Sequence, residues 1–432
     1  MTSTTLAAGG DEQTSQSPAA FPDGRFRALW AATGLSQVGS AVSNVTIPVC
    51  AAVTLGASAL EMTWLAVIEL LPSLLIRIPA ASWSDGLRRP RAPVMAACNL
   101  VQAAVMGLVP LLWWLGALNI VLLLVLAAVA SFALGVYSAL ASPLLVQIVP
   151  KAHLVEANGK MSATRSVADI SGPALGGALL ARIAAPSVVL VDALSFLLSA
   201  ALLSRVRTEK VAQGATTGAP KAAKERLGAA ANVRLARAMA RQSGVRAMVA
   251  VAFVNGLTQP VLVLFLVRSV HMRPSLIGSL LAFGAVGGVA GGMLVGRAQK
   301  SLGSGRTVAV GAAASLLSLA LLPFASAGPS AMAGLVLLEL AGSFGGTLLV
   351  ATVFGGLQAA APRERIAQVM AMAWVQLQAA GLIGVPIGGA LAIGYGTRWA
   401  MVVAFAVLAL ALGPQLVRWA LTRWAPDPPI AM

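Results

Sequence analysis

Long apolar runs, each closed by a short polar or basic cluster, make up most of the chain. A run of about 20 apolar residues wound into a helix matches the hydrocarbon core of a bilayer. On that measure the pattern predicts twelve membrane-spanning helices, over Ala28–Leu55, Met62–Ser84, Ala92–Leu115, Leu118–Val149, Ser166–Ala184, Ser187–Leu203, Ala247–Val270, Ser275–Val295, Thr307–Ala325, Ala331–Ala359, Ala367–Ile393 and Trp399–Ala420. The opening stretch Met1–Gly24 is rich in Ser, Thr, Ala and Gly and has no apolar core. It reads as a disordered tail and not as a cleaved signal peptide.

Composition agrees with this pattern. Of 432 residues, 58% are hydrophobic and 10% charged, against roughly 45–50% and 25% in an ordinary soluble domain. A water-soluble globule is excluded, and a polytopic membrane protein is implied. The 43 glycines and 23 prolines suit membrane helices, in which small residues let backbones approach closely. Cys50 and Cys98 both fall in apolar stretches. Two such residues cannot form a disulfide framework or a zinc ligand set, and they read as buried structural thiols.

Charge sets the orientation. With twelve alternating spans and both ends on one side, 25 of the 30 Lys and Arg residues fall on the side of the termini. Only Arg182, Arg268, Arg273 and Arg398 fall opposite, and Arg77 is left inside a span. Because cytoplasmic loops carry the excess of basic residues, both termini are expected in the cytoplasm, with the chain multi-pass in the inner (plasma) membrane. The same loops account for the net charge of +16. Basic residues scattered over many loops make no stripe, so no nucleic-acid partner is expected.

The chain also repeats itself. Ala92–Pro150 contains no charged residue, and Thr307–Pro362 repeats this apart from Glu339. A shift of 212 positions superposes Pro150-Lys151 on Pro362-Arg363, and Gly172, Gly176, Gly177, Ala178 and Leu179 on Gly384, Gly388, Gly389, Ala390 and Leu391. The expected architecture is an all-α polytopic membrane protein with 12 transmembrane helices in two pseudo-symmetric six-helix bundles. Residues 25–205 form the first bundle and 246–421 the second, joined by a basic cytoplasmic linker over 206–245 that contains a surface helix from Ala222 to Arg241. Cytoplasmic tails occupy 1–24 and 422–432. Paired halves of this kind, with a site near the midplane, belong to carriers that rock between two open states.

Four segments carry a likeness to a known family: Thr54–Leu75, Ser84–Val94 (SDGLRRPRAPV), Leu154–Leu179 and Val191–Ala200 (VDALSFLLSA). Through them the chain resembles the major facilitator superfamily over nearly its whole length. Within that superfamily it is similar to the bacterial drug:proton antiporter branch that includes macrolide-efflux and enterobactin-exporter-like proteins. The resemblance implies a gating motif G-x-x-x-D-R-x-G-R-R between the second and third spans, which latches the halves on the cytoplasmic face. Asp85, Arg88 and Arg89 match it, whereas Ala81 and Gly86 stand where a glycine and an arginine belong. Arg165 and Asp169, at i and i+4, are expected to pair locally and to support the latch.

Ionisable groups inside spans are costly and therefore functional candidates. The proton-coupling candidates are Glu69, Glu339 and Asp192. Glu69 either carries a proton or pairs with Arg77, eight residues on. Glu339 is the only charge in its stretch and by resemblance faces the central cavity, where a proton, a cationic cargo or another helix could satisfy it. Asp192 reads first as a helix-start acid and second as a coupling group. Cavity or substrate candidates are Gln37, Asn44, Trp64, Arg77, Asn255, Gln259, Gln376 and Gln378, and ordinary interhelical hydrogen bonding accounts equally well for any of the polar uncharged ones.

These residues and the resemblance together point to a secondary active exporter of amphipathic small molecules (drug, antibiotic or natural product) by proton antiport and alternating access. The alternatives are a siderophore exporter of the same fold, a facilitated-diffusion or uptake carrier, and a membrane sensor or enzyme. Against an enzyme, the only histidines are His153 and His271, in loops expected on opposite sides, and no metal-ligand pair or Ser-His-Asp set can be assembled. No P-loop is present to bind ATP. No cofactor or metal is expected; the expected partners are a small-molecule substrate, protons and the lipid bilayer, and by resemblance the protein is a monomer.

Overall fold

The computed structural model describes residues 23–85, 90–150, 153–206, 229–325, 329–361 and 366–421. Arg88 and Arg89, and the side chains of Arg77 and Asp85, lie outside the described residues. The first half contains α1 (Gly24–Val49), α2 (Ala59–Asp85), α3 (Arg91–Trp114), α4 (Ile120–Ile148), α5 (Leu154–Leu180), the single turn α6 (Ala185–Val188) and α7 (Leu190–Ser204). After the linker helix α8 (Ala229–Ala240), the second half contains α9 (Ser243–Leu264), α10 (Pro274–Leu302), α11 (Ser304–Leu321), α12 (Pro329–Ala360), α13 (Ile366–Tyr395) and α14 (Thr397–Leu421). Counting α6 and α7 as one span, each half supplies six. Nine helices among the described residues are long and apolar enough to cross a membrane. With α1, α2 and α5, of 26, 27 and 27 residues, the first half also reaches six.

Helix α5 begins at Leu154, ahead of the expected span Ser166–Ala184, so the polar stretch Leu154–Arg165 is helical as well. Pairing of Lys160 with Glu156 (2.8 Å, i,i+4) supports this first stretch, and the lysine and the nearby His153 hold the Glu156 carboxyl below the usual range.

The main neighbour relations of one half recur in the other. Helices α1 and α5, α1 and α7, α2 and α4, α3 and α4, and α3 and α7 pack together; so do α9 and α13, α9 and α14, α10 and α12, α11 and α12, and α11 and α14. The glycine repeat explains the register. Gly172 sits against Ala41 of α1 with no room for a Cβ, and its counterpart Gly384 sits in the same way against Phe253 of α9, 212 positions after Ala41. Gly177 and Gly389 reach across to the opposite half, Gly177 onto Gly278 of α10 and Gly389 onto Thr63 of α2. Helices α1 and α9 also end alike. Each contains a proline, Pro48 or Pro260, and widens into a π-helical turn, Cys50–Thr54 or Phe265–Ser269. A proline removes one ladder hydrogen bond and crowds the preceding turn, and both helices relax into the same wider exit.

The apolar cores are arranged unevenly along the membrane normal. At the end of the bundle remote from the chain termini, one core is shared by both halves and includes Val49, Cys50, Ala57 and Leu65 with Leu264, Phe265, Ile277 and Met401. At the end nearer the termini, each half has its own core, one around Phe26, Met95, Leu140 and Leu203 and the other around Met239, Met248, Val353 and Leu412. The molecule is closed at the remote end and split at the terminal end.

The remote loops are capped where burial ends. Ser58 and Glu61 form a capping box at the start of α2: the Ser58 amide donates to Glu61 Oε2 (2.7 Å) and the Glu61 amide to Ser58 Oγ (3.3 Å). These bonds hold the Glu61 carboxyl below its usual value of 4.5. A lowered folded-state value means that its contribution is complete above that pH and is lost as pH falls through the folded value. Ser58→Ala should therefore cost about 1 kcal/mol, read as a lower melting temperature in detergent at neutral pH, and the deficit should shrink in acid.

Candidate transport site

Within the second half, α9, α11, α12 and α14 enclose a cavity of about 370 Å³. Glu339 lines it, together with Asn255, Thr258, Ser315, Ser318, Ser343 and Thr347. The spacing produces this polar face. Glu339, Ser343 and Thr347 follow at i, i+4 and i+8 on one stripe of α12, and Ser315 and Ser318 lie three apart on α11. Room for the carboxylate comes from the facing glycines of α10. A Cβ at Gly284 would stand 2.7 Å from Glu339 Oε1, and Gly287 and Gly291 press on the α12 backbone at Leu340 and Phe344. The glycines of α10 thus form a close-packing face against α12. Glu339 has no ion-pair partner among the described residues. An adjoining cavity of about 620 Å³ lies between the halves and shares Ser343 and Thr347; Asp169 of α5 faces Gly284, Gly288 and Gly292 across it.

The first half places its acids differently. Glu69, on α2, makes no hydrogen bond or ion pair through its carboxylate among the described residues, while its backbone carbonyl accepts from Ser131 of α4 (2.8 Å). Asp192 is 2% exposed. It lies in the first turn of α7, where a helix-start acid is expected. Its carboxylate accepts from Ser40 Oγ of α1 (3.4 Å) and Ser195 Oγ of α7 (3.3 Å).

The remaining candidates separate by position. Asn255 lines the Glu339 cavity. Gln376 Nε2 donates to Ala236 O of the linker helix (2.9 Å), tying α13 to α8. Gln37 is half-buried, with its Oε1 lacking a partner. Asn44, Trp64, Gln259 and Gln378 are exposed. Arg165 Nε and Asp169 Oδ2 are 3.9 Å apart with both side chains largely exposed, a weak surface-type pair. The serines and threonines of the cavity were not singled out in the sequence, although their one-face spacing in otherwise apolar helices was a usable signal.

Another residue outside the candidate set closes the remote end. Arg268, in the π turn after α9, donates from Nη2 to Ala57 O (2.6 Å) and Gly56 O (3.2 Å) of the opposite half. Hydrogen bonds to a charged group contribute about 1.5–3 kcal/mol. Arg268→Ala should shift the balance toward the remote-open state by roughly tenfold, seen as faster labelling of a cysteine placed at Ala57.

The sequence profile of the Major Facilitator Superfamily matches residues 29–375, and the chain belongs to that family. It is a multi-pass membrane transporter of the major facilitator type. Among solved structures it is similar to the nucleoside transporter NupG (12% identity, 93% of this chain and 100% of that chain, TM-score 0.72). It is also similar to a bacterial homologue of the iron transporter ferroportin in an inward-facing state (15% identity, 92% and 99%, TM-score 0.70); the outward-facing state of such a homologue gives 0.53. A bacterial homologue of the human lysosomal transporter Spinster, inward-facing and unoccupied, matches at 16% identity over 94% and 100% with a TM-score of 0.67. No curated protein matches the chain.

Proposed function

We propose that the protein exports amphipathic, cationic small molecules from the cytoplasm by proton antiport and alternating access. The observation that carries this reading is Glu339, a carboxylate with no ion-pair partner among the described residues, set in a hydroxyl-lined cavity inside a membrane bundle. A charge in such a place is costly unless neutralised. A proton and a cationic cargo can each do this, and competition between them for one carboxylate couples their fluxes. Glu69 is the second candidate for the proton.

The excess of basic residues on the terminal side supports a cytoplasmic location for both termini and an inner-membrane location for the protein. In that orientation the split end faces the cytoplasm and the shared core closes the outside, the state from which an exporter loads. The motif built on Asp85, Arg88 and Arg89, with Arg165 and Asp169, would latch the cytoplasmic face in the alternate state. Monomers suffice for this cycle, because both halves of the site come from one chain.

The experiment is to reconstitute the protein in liposomes, add a panel of macrolides, cationic dyes and siderophores, and record proton movement. Cargo-triggered proton release supports antiport. Flux that ignores the proton gradient would replace it with facilitated diffusion, and a response to siderophores alone would change the cargo class.

A further inference from the structure

The two adjoining cavities bring together one acid from each half. Glu339 lines the first, and Asp169 of α5 is the one charged group among the described residues that lines the second. No basic side chain among the described residues lines either. Ser343 and Thr347 line both cavities, and Gly284 joins them more closely still. This glycine lines the cavity between the halves, and the Cβ it lacks would stand 2.7 Å from Glu339 Oε1. A larger residue there would wall Glu339 off from Asp169.

The depth of the two acids follows from the glycine crossing. Gly177 of α5 lies on Gly278 of α10, and both helices leave that contact toward the terminal end, α5 backward along the chain and α10 forward. Asp169 is eight residues from Gly177, and Gly284 is six from Gly278. At 1.5 Å per residue these are about 12 and 9 Å, so the two carboxylates share a level in the membrane to within about one helical turn. Helices α5 and α12 both pack against α10. With packed helices about 8–10 Å apart, the lateral gap between the acids is on the order of 10 Å.

Asp169 is held only loosely by its own helix. Arg165 stands 3.9 Å away, beyond hydrogen-bonding distance, and an exposed pair of this kind contributes at most about 1 kcal/mol. A cationic group of the cargo can take its place, and Arg165 keeps the acid paired between loads. We propose that the cargo is a dication, an elongated molecule with two cationic amines about 10 Å apart, one held by Glu339 and the other by Asp169. Its apolar middle passes over Gly284 and Gly288, beside Leu281, Val289 and Met293. This proposal rests on the reading of Glu339 as the cargo carboxylate.

The test is equilibrium binding to the purified full-length protein in detergent at constant pH, which requires no proton movement. The probes are hexamethylene bis-trimethylammonium and hexyl trimethylammonium, which differ mainly in the second charge. The wild type should bind the dication about tenfold more tightly, the gain from one additional charged contact. Asp169→Asn should bring the two affinities to within about twofold of each other, and Asp169→Glu should keep the preference. A change in the cytoplasmic latch moves both affinities together, so their ratio reports the cargo contact alone. No preference in the wild type, or a preference that survives Asp169→Asn, would overturn the proposal. Failure of both probes to bind would remove the cationic-cargo reading beneath it. A dication preference without proton release in liposomes would overturn antiport and leave the two-acid site standing.

Discussion

Glu339→Gln will abolish cargo-triggered proton release from liposomes while leaving exchange of labelled for unlabelled cargo measurable. Glutamine keeps the shape and hydrogen-bonding reach of the glutamate but cannot ionise, so the cavity with Asn255, Ser315, Ser343 and Thr347 stays filled while the competition between proton and cargo is removed. Coupled efflux should fall by about tenfold or more, which corresponds to a loss of only about 1.4 kcal/mol at the relevant step. Cargoes with a cationic amine should also lose affinity, whereas neutral ones should not. Full proton coupling in this variant would remove Glu339 from the mechanism, and loss in Glu69→Gln instead would transfer the role to α2.

Gly278→Leu should drive the remote end open. At this crossing the two halves meet backbone to backbone, and a Cβ at Gly177 would already stand 2.8 Å from Gly278 Cα. No side-chain rotation can make room there, because the obstacle is main chain. Overpacking costs about 1–3 kcal/mol, and here the cost falls on the closed arrangement alone. A differential of that size shifts a two-state ratio about 5- to 150-fold. Spin labels at Leu115 and Phe324, exposed positions at the remote end of each half, should report longer distances in the variant than in the wild type, in a background from which Cys98 has been removed. An unchanged distance distribution would mean that the α5–α10 crossing does not hold the remote end closed. The repeat supplies a control: Gly389→Leu, at the equivalent α13–α2 crossing, should act in the same direction.

Much of the architecture was legible before any coordinates. Span length follows from bilayer thickness, so apolar runs marked the crossings, and the internal repeat followed from glycines that the close crossings require. Legibility failed where local chemistry and global role diverge. The apolar run marked Ser166–Ala184 but gave no sign that α5 starts at Leu154, because that first stretch carries polar side chains, which ion pairs such as Lys160–Glu156 accommodate on a helix surface. Asp192 was readable as a helix-start acid, but nothing local showed that Ser40 of α1 would face its carboxylate. Gln376 looked like a cavity residue, since nothing local shows that α8 folds back to offer it the Ala236 carbonyl.

The candidate site divides in the same way. The sequence marked Glu69, Asp192 and Glu339, because a charge within an apolar span is conspicuous on cost alone. It could not assign their surroundings. Glu339 shares its cavity with hydroxyls on three helices and faces glycines on a fourth, Asp192 faces serines that lie 152 and 3 positions away in the chain, and Arg268 reaches carbonyls 211 and 212 positions distant. By itself the sequence determined the membrane class, the two halves and the acids, since each depends on segment length, local spacing or desolvation cost. Only the tertiary structure decided which end is closed, what surrounds each acid and which residue latches the halves, because those depend on contacts between segments far apart in the chain, whose side chains carry no mark of their eventual neighbours.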